Sequence, residues 1–173
     1  NKCQNKLIMH IYILCLLLLQ VCLCHAQKAD LNGARKNFNQ GVKNKDLCEK
    51  YHEHLQETAR TPVEKGYEAA FHMFMAKHTA NPIKKMSYFK NAKSMLEDLI
   101  EANPQEVELR FIRLCIQYYS PKYLGYHSEV ENDKTFVMNN LHKMSDKQAK
   151  QLIYNYLDGA KMYTDSELAL LGR

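Results

Sequence analysis

The stretch that decides the fold is Val107-Glu-Leu-Arg-Phe-Ile-Arg-Leu-Cys-Ile-Gln-Tyr118. Its apolar side chains fall on nearly all sides of a helix with about 3.6 residues per turn. Such a helix must be covered by other elements, because it would otherwise leave a large apolar surface in water. The stretch therefore predicts a central helix that is wrapped by its neighbours.

Helix-start signals lie on both sides of this stretch. Each places Ser, Thr or Asn three residues before Glu or Gln, which is the pattern of a capping box. The five signals are Thr61-Pro62-Val63-Glu64, Asn103-Pro104-Gln105-Glu106, Ser128–Glu131, Ser145–Gln148 and Thr164–Glu167. Between them apolar residues recur every three to four positions, and no alternating run is typical of a strand. We therefore predict an all-α fold, a compact bundle of about six to seven short helices.

Two Asn-Pro breaks suggest a more specific arrangement. Asn81-Pro82 and Asn103-Pro104 each separate two apolar-periodic segments, as prolines do between the helices of tetratricopeptide-type arrays. If Pro104 is the final proline of such a repeat, Ala92 takes the place of its small residue, but the other positions fit poorly. We therefore favour a compact helical domain, with tetratricopeptide-like helical hairpins as the alternative.

The first 26 residues have the composition of a secretory signal peptide. Lys2 and Lys6 precede an apolar run from Leu7 to Leu19, and the small residue Ala26 follows. The run is shorter than the roughly 20 residues that cross a bilayer as a helix. We predict cleavage after Ala26, which leaves residues 27–173 as a single all-helical domain in the periplasm or outside the cell. An uncleaved anchor is the alternative.

Cysteine usage and charge exclude several classes of protein. Four of the six cysteines would leave with the signal, so only Cys48 and Cys115 remain. An oxidising compartment would allow these two to pair, but a lone cysteine in an apolar stretch is usually buried, and we favour burial. The net charge of +5 is spread over segments in which Lys alternates with Glu and Asp. We therefore expect no nucleic-acid partner, no cofactor, and no membrane span after cleavage of the signal.

Catalytic and metal-binding motifs are not apparent. There is no G-x-S-x-G nucleophile motif and no phosphate-binding glycine loop. His52-Glu53-His54 does not have the spacing of a zinc protease, and two histidines two residues apart point to different sides of a helix. We interpret these histidines as part of a solvated helix face, and predict no catalytic residue and no metal ligand.

A polar stripe on the central helix is the first candidate binding feature. Arg110, Arg113 and Gln117 stand at i, i+3 and i+7, and therefore share one face. A buried charge without a partner costs several kcal/mol, so each arginine needs an acid, a carbonyl group or an outside anion. Internal partners would come from Glu108 or from the acids at 129, 131 and 133. An outside anion is the alternative.

A tyrosine-rich loop follows the stripe. Tyr118, Tyr119, Tyr123 and Tyr126 surround Pro121 and Gly125. Tyrosine combines a large contact area with a polar tip, which suits a sugar, a peptide or a partner surface as well as the edge of a core. Glycine at this point indicates a backbone angle that other residues adopt only at a cost. The candidate binding residues are Arg110, Arg113, Gln117, Tyr123, Gly125 and Tyr126.

The same region carries a resemblance. Glu108-Leu-Arg110-x-x-Arg113-x-x-x-Gln117, followed by a proline, by Leu124-Gly125-Tyr126 and by an acidic helix start before Lys134-Thr-Phe136, resembles an uncharacterised family of small exported all-helical proteins of Gram-negative bacteria. The likeness extends from about Arg35 to Asp158. Because the family has no assigned activity, the resemblance implies a shared fold and an envelope location, and nothing catalytic.

Three functions are compatible with these features. The first is a non-enzymatic envelope protein that binds a protein or peptide partner near the stripe and the loop. The second is a small-ligand binder, in which the arginines hold an anionic molecule or sugar and the tyrosines form the pocket wall. The third is a hydrolase of envelope material, which needs two acids, or an acid and a histidine, in one cleft.

Overall fold

The computed structural model describes residues 28–171, which form eight α-helices and no strand. The helices are α1 Leu31–Gly41, α2 Lys45–Thr58, α3 Pro62–Phe74, α4 Pro82–Ala102, α5 Val107–Tyr119, α6 Val130–Asn140, α7 Lys147–Ala160 and α8 Asp165–Leu171. Short 3₁₀ turns occupy Met75–Lys77, Lys122–Leu124 and Leu141–Lys143. The all-α prediction is confirmed, with one or two helices more than expected. The predicted signal peptide lies outside the described residues.

The central helix α5 is buried as predicted. From Val107 to Gln117 every residue except Arg110 is buried, and Leu109, Ile112 and Leu114 have no exposed surface. The helices α3, α4 and α6 pack against it. Burial of each large aliphatic side chain contributes roughly 1.5–3 kcal/mol, so this helix supplies a large share of the apolar burial.

Two of the predicted capping boxes are present. At the start of α3 the Thr61 hydroxyl accepts a bond from the Glu64 N–H, and the Glu64 carboxylate accepts the Thr61 N–H at 2.9 Å. The same reciprocal pair links Thr164 and Glu167 before α8. Asn81 caps α4 with one side-chain oxygen that accepts two N–H groups. These caps satisfy donors that have no partner inside their helices.

The other three predicted starts are wrong by one or more residues. Asn103 ends α4, where its side-chain amide donates to the Leu99 carbonyl, and α5 begins only at Val107. The cap of α6 is Glu129 in place of Ser128. The cap of α7 is Asp146 in place of Ser145, because the Asp146 carboxylate accepts two N–H groups of the first turn. A carboxylate there also interacts favourably with the helix dipole.

A single hydrophobic cluster runs through the helices, with aromatic rings at its centre. Phe38 on α1 meets Tyr67, Phe74 and Tyr156 edge-on, at ring-centroid distances of 5.3–5.7 Å. Cys48 and Cys115 are both free and buried, so burial is confirmed over a disulfide. Within residues 28–171 none of the helices combines the length and apolar character needed to cross a membrane.

Candidate binding pocket

The arginine stripe is neutralised within the chain. Arg113 donates from Nε to Asp133 Oδ2 at 2.7 Å and from Nη2 to Asp133 Oδ1 at 2.9 Å. Its Nη1 donates to Glu97 on α4 at 2.6 Å, and Arg110 donates to the same Asp133 carboxylate. Burial alone would lower the pKa of Arg113, but the bonds and charges of Asp133 and Glu97 raise it. Arg113 therefore remains charged, and both arginines already face acids.

Other predicted site residues extend this buried network. Tyr126 is 3% exposed and donates its hydroxyl to Glu97. Burial and the charge of Glu97 raise the pKa of Tyr126. Gln117 has no exposed surface, and its Oε1 accepts the Glu129 N–H at 3.0 Å. The network joins α4, α5, α6 and the loop between α5 and α6, so its polar groups fix the packing of these elements.

The loop residues divide into two groups. Gly125 has φ +61°, in the left-handed region that favours glycine, so the predicted backbone role is confirmed. Tyr123 is 83% exposed and stands apart from the arginine network. The structure thus brings Arg110, Arg113, Gln117 and Tyr126 together in the interior. Of the two alternatives for the arginines, the structure therefore agrees with internal pairing to the chain's own acids. An outside anion is not needed to neutralise them.

A second ion-pair network is centred on Arg35, which the sequence did not indicate as a functional residue. Glu108, considered as a partner of the stripe, instead accepts two bonds from Arg35 on α1, at 2.7 and 2.8 Å. The Tyr67 hydroxyl donates to the same carboxylate at 2.8 Å, and Asp146 accepts from Arg35 at 3.0 Å. Burial and Glu108 raise the pKa of Tyr67 well above its usual range. This network fixes α1 against α3, α5 and α7.

One concave feature of the described surface is an apolar pocket of about 420 Å³. We call it the apolar pocket. It lies where the end of α3, the start of α4 and the end of α5 approach α1, α7 and the turn at 122–124. It is lined by Phe38, Val42, Met73, Phe74, Ala76, Lys77, Pro82, Lys85, Met86, Phe89, Cys115, Ile116, Tyr119, Ser120, Pro121, Tyr123, Leu124 and Tyr156. Its volume is in the range of ligand-binding pockets, about 300–1,000 Å³.

The lining of the apolar pocket combines apolar side chains with positive charge and contains no acid. Its floor is formed by buried rings and aliphatic groups, among them Phe74, Phe89 and Ile116. Its charged lining residues are the two lysines Lys77 and Lys85, and no Asp or Glu lines it. Burial raises the pKa of the Cys115 thiol well above its usual range, so the thiol stays protonated. The pocket therefore suits an apolar group.

Two histidines form a buried contact that contradicts the sequence interpretation. His52 on α2 lies with its Nε2 at 2.9 Å from the Nδ1 of His72 on α3, and Tyr88 packs edge-on against both rings. The prediction of a solvated helix face is therefore wrong for His52. Burial lowers the pKa of both histidines, and the charge of His52 lowers that of His72 further. No cluster of three or more metal-ligating side chains occurs within residues 28–171.

Known proteins add no constraint on this site, since no protein-family model, curated protein or solved structure matches the chain. Membership of the exported helical family therefore stays a prediction. Within residues 28–171, the fold and its pocket define the class of protein as an all-α domain with an apolar pocket.

Proposed function

We propose that this chain is a non-enzymatic binding module, exported to the cell envelope, that accepts apolar groups of a protein or peptide partner in the apolar pocket. The observation that carries the proposal is the pocket itself, a half-open cavity of about 420 Å³ with an aromatic and aliphatic lining. Leaving such a surface in water is unfavourable, by roughly 25 cal/mol for each Å² of apolar area. The geometry of the pocket therefore favours the binding of an apolar group.

The binding surface lies beside the predicted one. Tyr123 belongs to both, because it is a predicted site residue and also lines the pocket. The arginines support the surface from the interior, since their network holds α4, α5 and α6 in register. Our proposal therefore keeps a partner-binding function and moves it from the arginine stripe to the mouth of the pocket.

A matched pair of variants tests this function. Ala76 lines the pocket, whereas Ala80 is exposed in the same connection between α3 and α4 and does not line it. Ala76→Trp is expected to fill the pocket, and Ala80→Trp to leave it open. The probe is N-phenyl-1-naphthylamine, a neutral dye whose fluorescence rises in apolar surroundings. Thermal unfolding of each variant verifies that it is folded.

The expected result is a saturable fluorescence increase with the wild-type chain and with Ala80→Trp, and little or none with Ala76→Trp. A photo-crosslinking residue at position 123 then reports on protein partners in the producing cells, since Tyr123 is exposed at the pocket mouth. A discrete adduct that disappears with Ala76→Trp supports the proposal. Equal dye binding by all three proteins, or adducts indifferent to the pocket, would overturn it.

A further inference from the structure

The apolar pocket lies in a region where positive charge is not balanced by acids. Residues 69–96 contain five lysines and no Asp or Glu, and residues 114–128 contain Lys122 and no acid. These two segments supply most of the pocket lining, including Lys77 and Lys85. The charge distribution along the whole chain is mixed, so this local excess is a property of the pocket and its surroundings.

These lysines are not occupied by the protein's own acids. In the part of the chain that the structure describes, the lysine salt bridges are those of Lys45 with Glu49 and Lys134 with Glu167, both away from the pocket. Lys77 and Lys85 line the pocket, Lys90 lines a groove next to it, and Lys84 and Lys122 neighbour lining residues along the chain. All five side chains are exposed. The pocket therefore has a rim of positive charges that remain available to an approaching anionic group.

The apolar surface continues beyond the pocket. Ile83 is 80% exposed and Met86 is 40% exposed, and with Lys90 they stand at i, i+3 and i+7 on one face of α4. A shallow groove shared with the pocket at Pro82 and Met86 runs along this face. An occupant that covers both the pocket and this face must be longer than a single small molecule. A peptide segment meets that requirement.

We infer that the pocket and the adjoining face of α4 receive an acidic amphipathic helix of a partner protein. This inference rests on the proposed function and names its partner. The apolar side chains of such a helix enter the pocket and cover Ile83 and Met86, while its carboxylates face the lysines. A helix fits because lysines flank the pocket on both α4 and the turn at 122–124, and an amphipathic helix carries polar groups on both sides of its apolar stripe.

Two synthetic peptides of equal length test the charge requirement. Both carry the same apolar face, with Leu at i, i+3, i+4 and i+7, and their polar positions are Glu in one peptide and Lys in the other. Binding to the chain of residues 1–173 is measured by fluorescence anisotropy. We expect the acidic peptide to bind about tenfold tighter or more, and its affinity to fall as salt is added.

Charge-reversal variants separate the local charge from the net charge. Lys77→Glu/Lys85→Glu reverses both charges of the pocket lining. Lys36→Glu/Lys147→Glu makes the same change of net charge at two exposed lysines that do not line the pocket. The first double variant should lose the preference for the acidic peptide, and the second should retain most of it. If both double variants weaken the binding of the acidic peptide equally, the two lysines of the pocket lining are not specific contacts of the peptide.

Other occupants give different outcomes, each of which overturns the inference. Vesicles of phosphatidylglycerol that bind more tightly than the acidic peptide would point to a membrane surface. Self-association that depends on Ala76 would point to a second copy. If Lys77→Glu/Lys85→Glu still binds the neutral dye while the wild type ignores the acidic peptide, this inference fails and the proposed function stands.

Discussion

The carboxylate of Asp133 accepts both an Nε and an Nη2 hydrogen bond from Arg113, at 2.7 and 2.9 Å, across the interface of α5 and α6. Asp133 has no exposed surface and also accepts from Arg110. One buried anion therefore holds two cations, and Arg113 has a second partner in Glu97. This geometry makes Asp133 the residue on which the packing of α6 depends.

Replacing Asp133 should be among the most destabilising single changes in this region. Asp133→Asn keeps the size of the side chain but leaves two partly or fully buried guanidinium groups without their shared anion. Breaking a buried ion pair from one side typically costs about 3–5 kcal/mol. The free energy of unfolding, measured by urea denaturation, should fall by this amount.

The matched control for that change is Glu131→Gln. Glu131 is exposed, lies two residues earlier on the same helix, and has no salt bridge among the described residues. Its loss should cost less than about 1 kcal/mol, since only a charge near a helix N-terminus is removed. Similar losses for the two variants would show that the buried pair contributes little.

Buried tyrosines should make the chain resist titration at high pH. Burial raises the pKa of Tyr67, Tyr126 and Tyr163 above the usual value near 10. For a raised pKa in the folded state, the contribution to stability is complete below the unfolded value and is lost as pH rises above it. Folding stability should therefore fall above about pH 10, where the unfolded chain loses these protons first.

The near-ultraviolet absorbance of tyrosinate measures this effect. Part of the absorbance should appear only when circular dichroism reports unfolding. Tyr67→Phe should reduce that delayed part, and Tyr123→Phe, at an exposed position, should leave it unchanged. A smooth titration of all tyrosines without unfolding would contradict the burial of these three hydroxyls.

The two cysteines should differ in reactivity although both are buried. Cys48 has no exposed surface, its sulfur contacts the Phe71 carbonyl and the Met75 sulfur, and burial raises its pKa to about 12. Cys115 is 3% exposed but lines the pocket, so we expect an apolar reagent to reach it without unfolding. We expect N-ethylmaleimide, followed by mass spectrometry of peptides, to modify Cys115 before Cys48.

Slow reaction is expected at both sites, because the thiolate is the reactive form and both pKa values are raised. Saturating N-phenyl-1-naphthylamine should slow the modification of Cys115 further and leave Cys48 unaffected. Modification of Cys48 first, or no protection of Cys115 by the dye, would argue against an accessible pocket at this wall.

Local patterns predicted the helices because their causes are local. The apolar stretch around Leu109 and Ile112 must be covered whatever surrounds it, and the Thr61–Glu64 box satisfies its own backbone donors. The predicted helix start at Asn103 was wrong because asparagine also occurs at the C-terminal ends of helices. Here the Asn103 side-chain amide donates to the Leu99 carbonyl at the end of α4. Capping patterns alone do not distinguish these two uses.

The pocket could not be predicted in this way. Its lining comes from six regions of the chain, and residues as distant as Phe38 and Tyr156 meet only after folding. Asp133 was among the predicted internal partners of the arginine stripe and is confirmed, whereas Glu97, 16 residues before Arg113, was not predicted. Of the predicted site residues, Tyr123 alone lines the pocket, where its aromatic side chain is exposed.

The pair of His52 and His72 should make the folded chain less stable in mild acid. The pKa of His52 and His72 is lowered by burial, so both rings stay neutral in the folded chain below the usual value near 6.5. The unfolded chain binds protons there that the folded chain does not, and the free energy of unfolding therefore falls as pH decreases through about 6.5. Urea denaturation between about pH 7 and pH 5 measures the slope.

The double variant His52→Gln/His72→Gln should flatten this slope, because the groups that gain protons on unfolding are gone. His142→Gln, at an exposed histidine in the 3₁₀ turn before α7, is the matched control and should keep the slope of the wild type. Equal slopes in all three proteins would mean that the 2.9 Å contact of the two rings accommodates a proton without strain. The pair would then contribute packing alone, with Tyr88 against both rings.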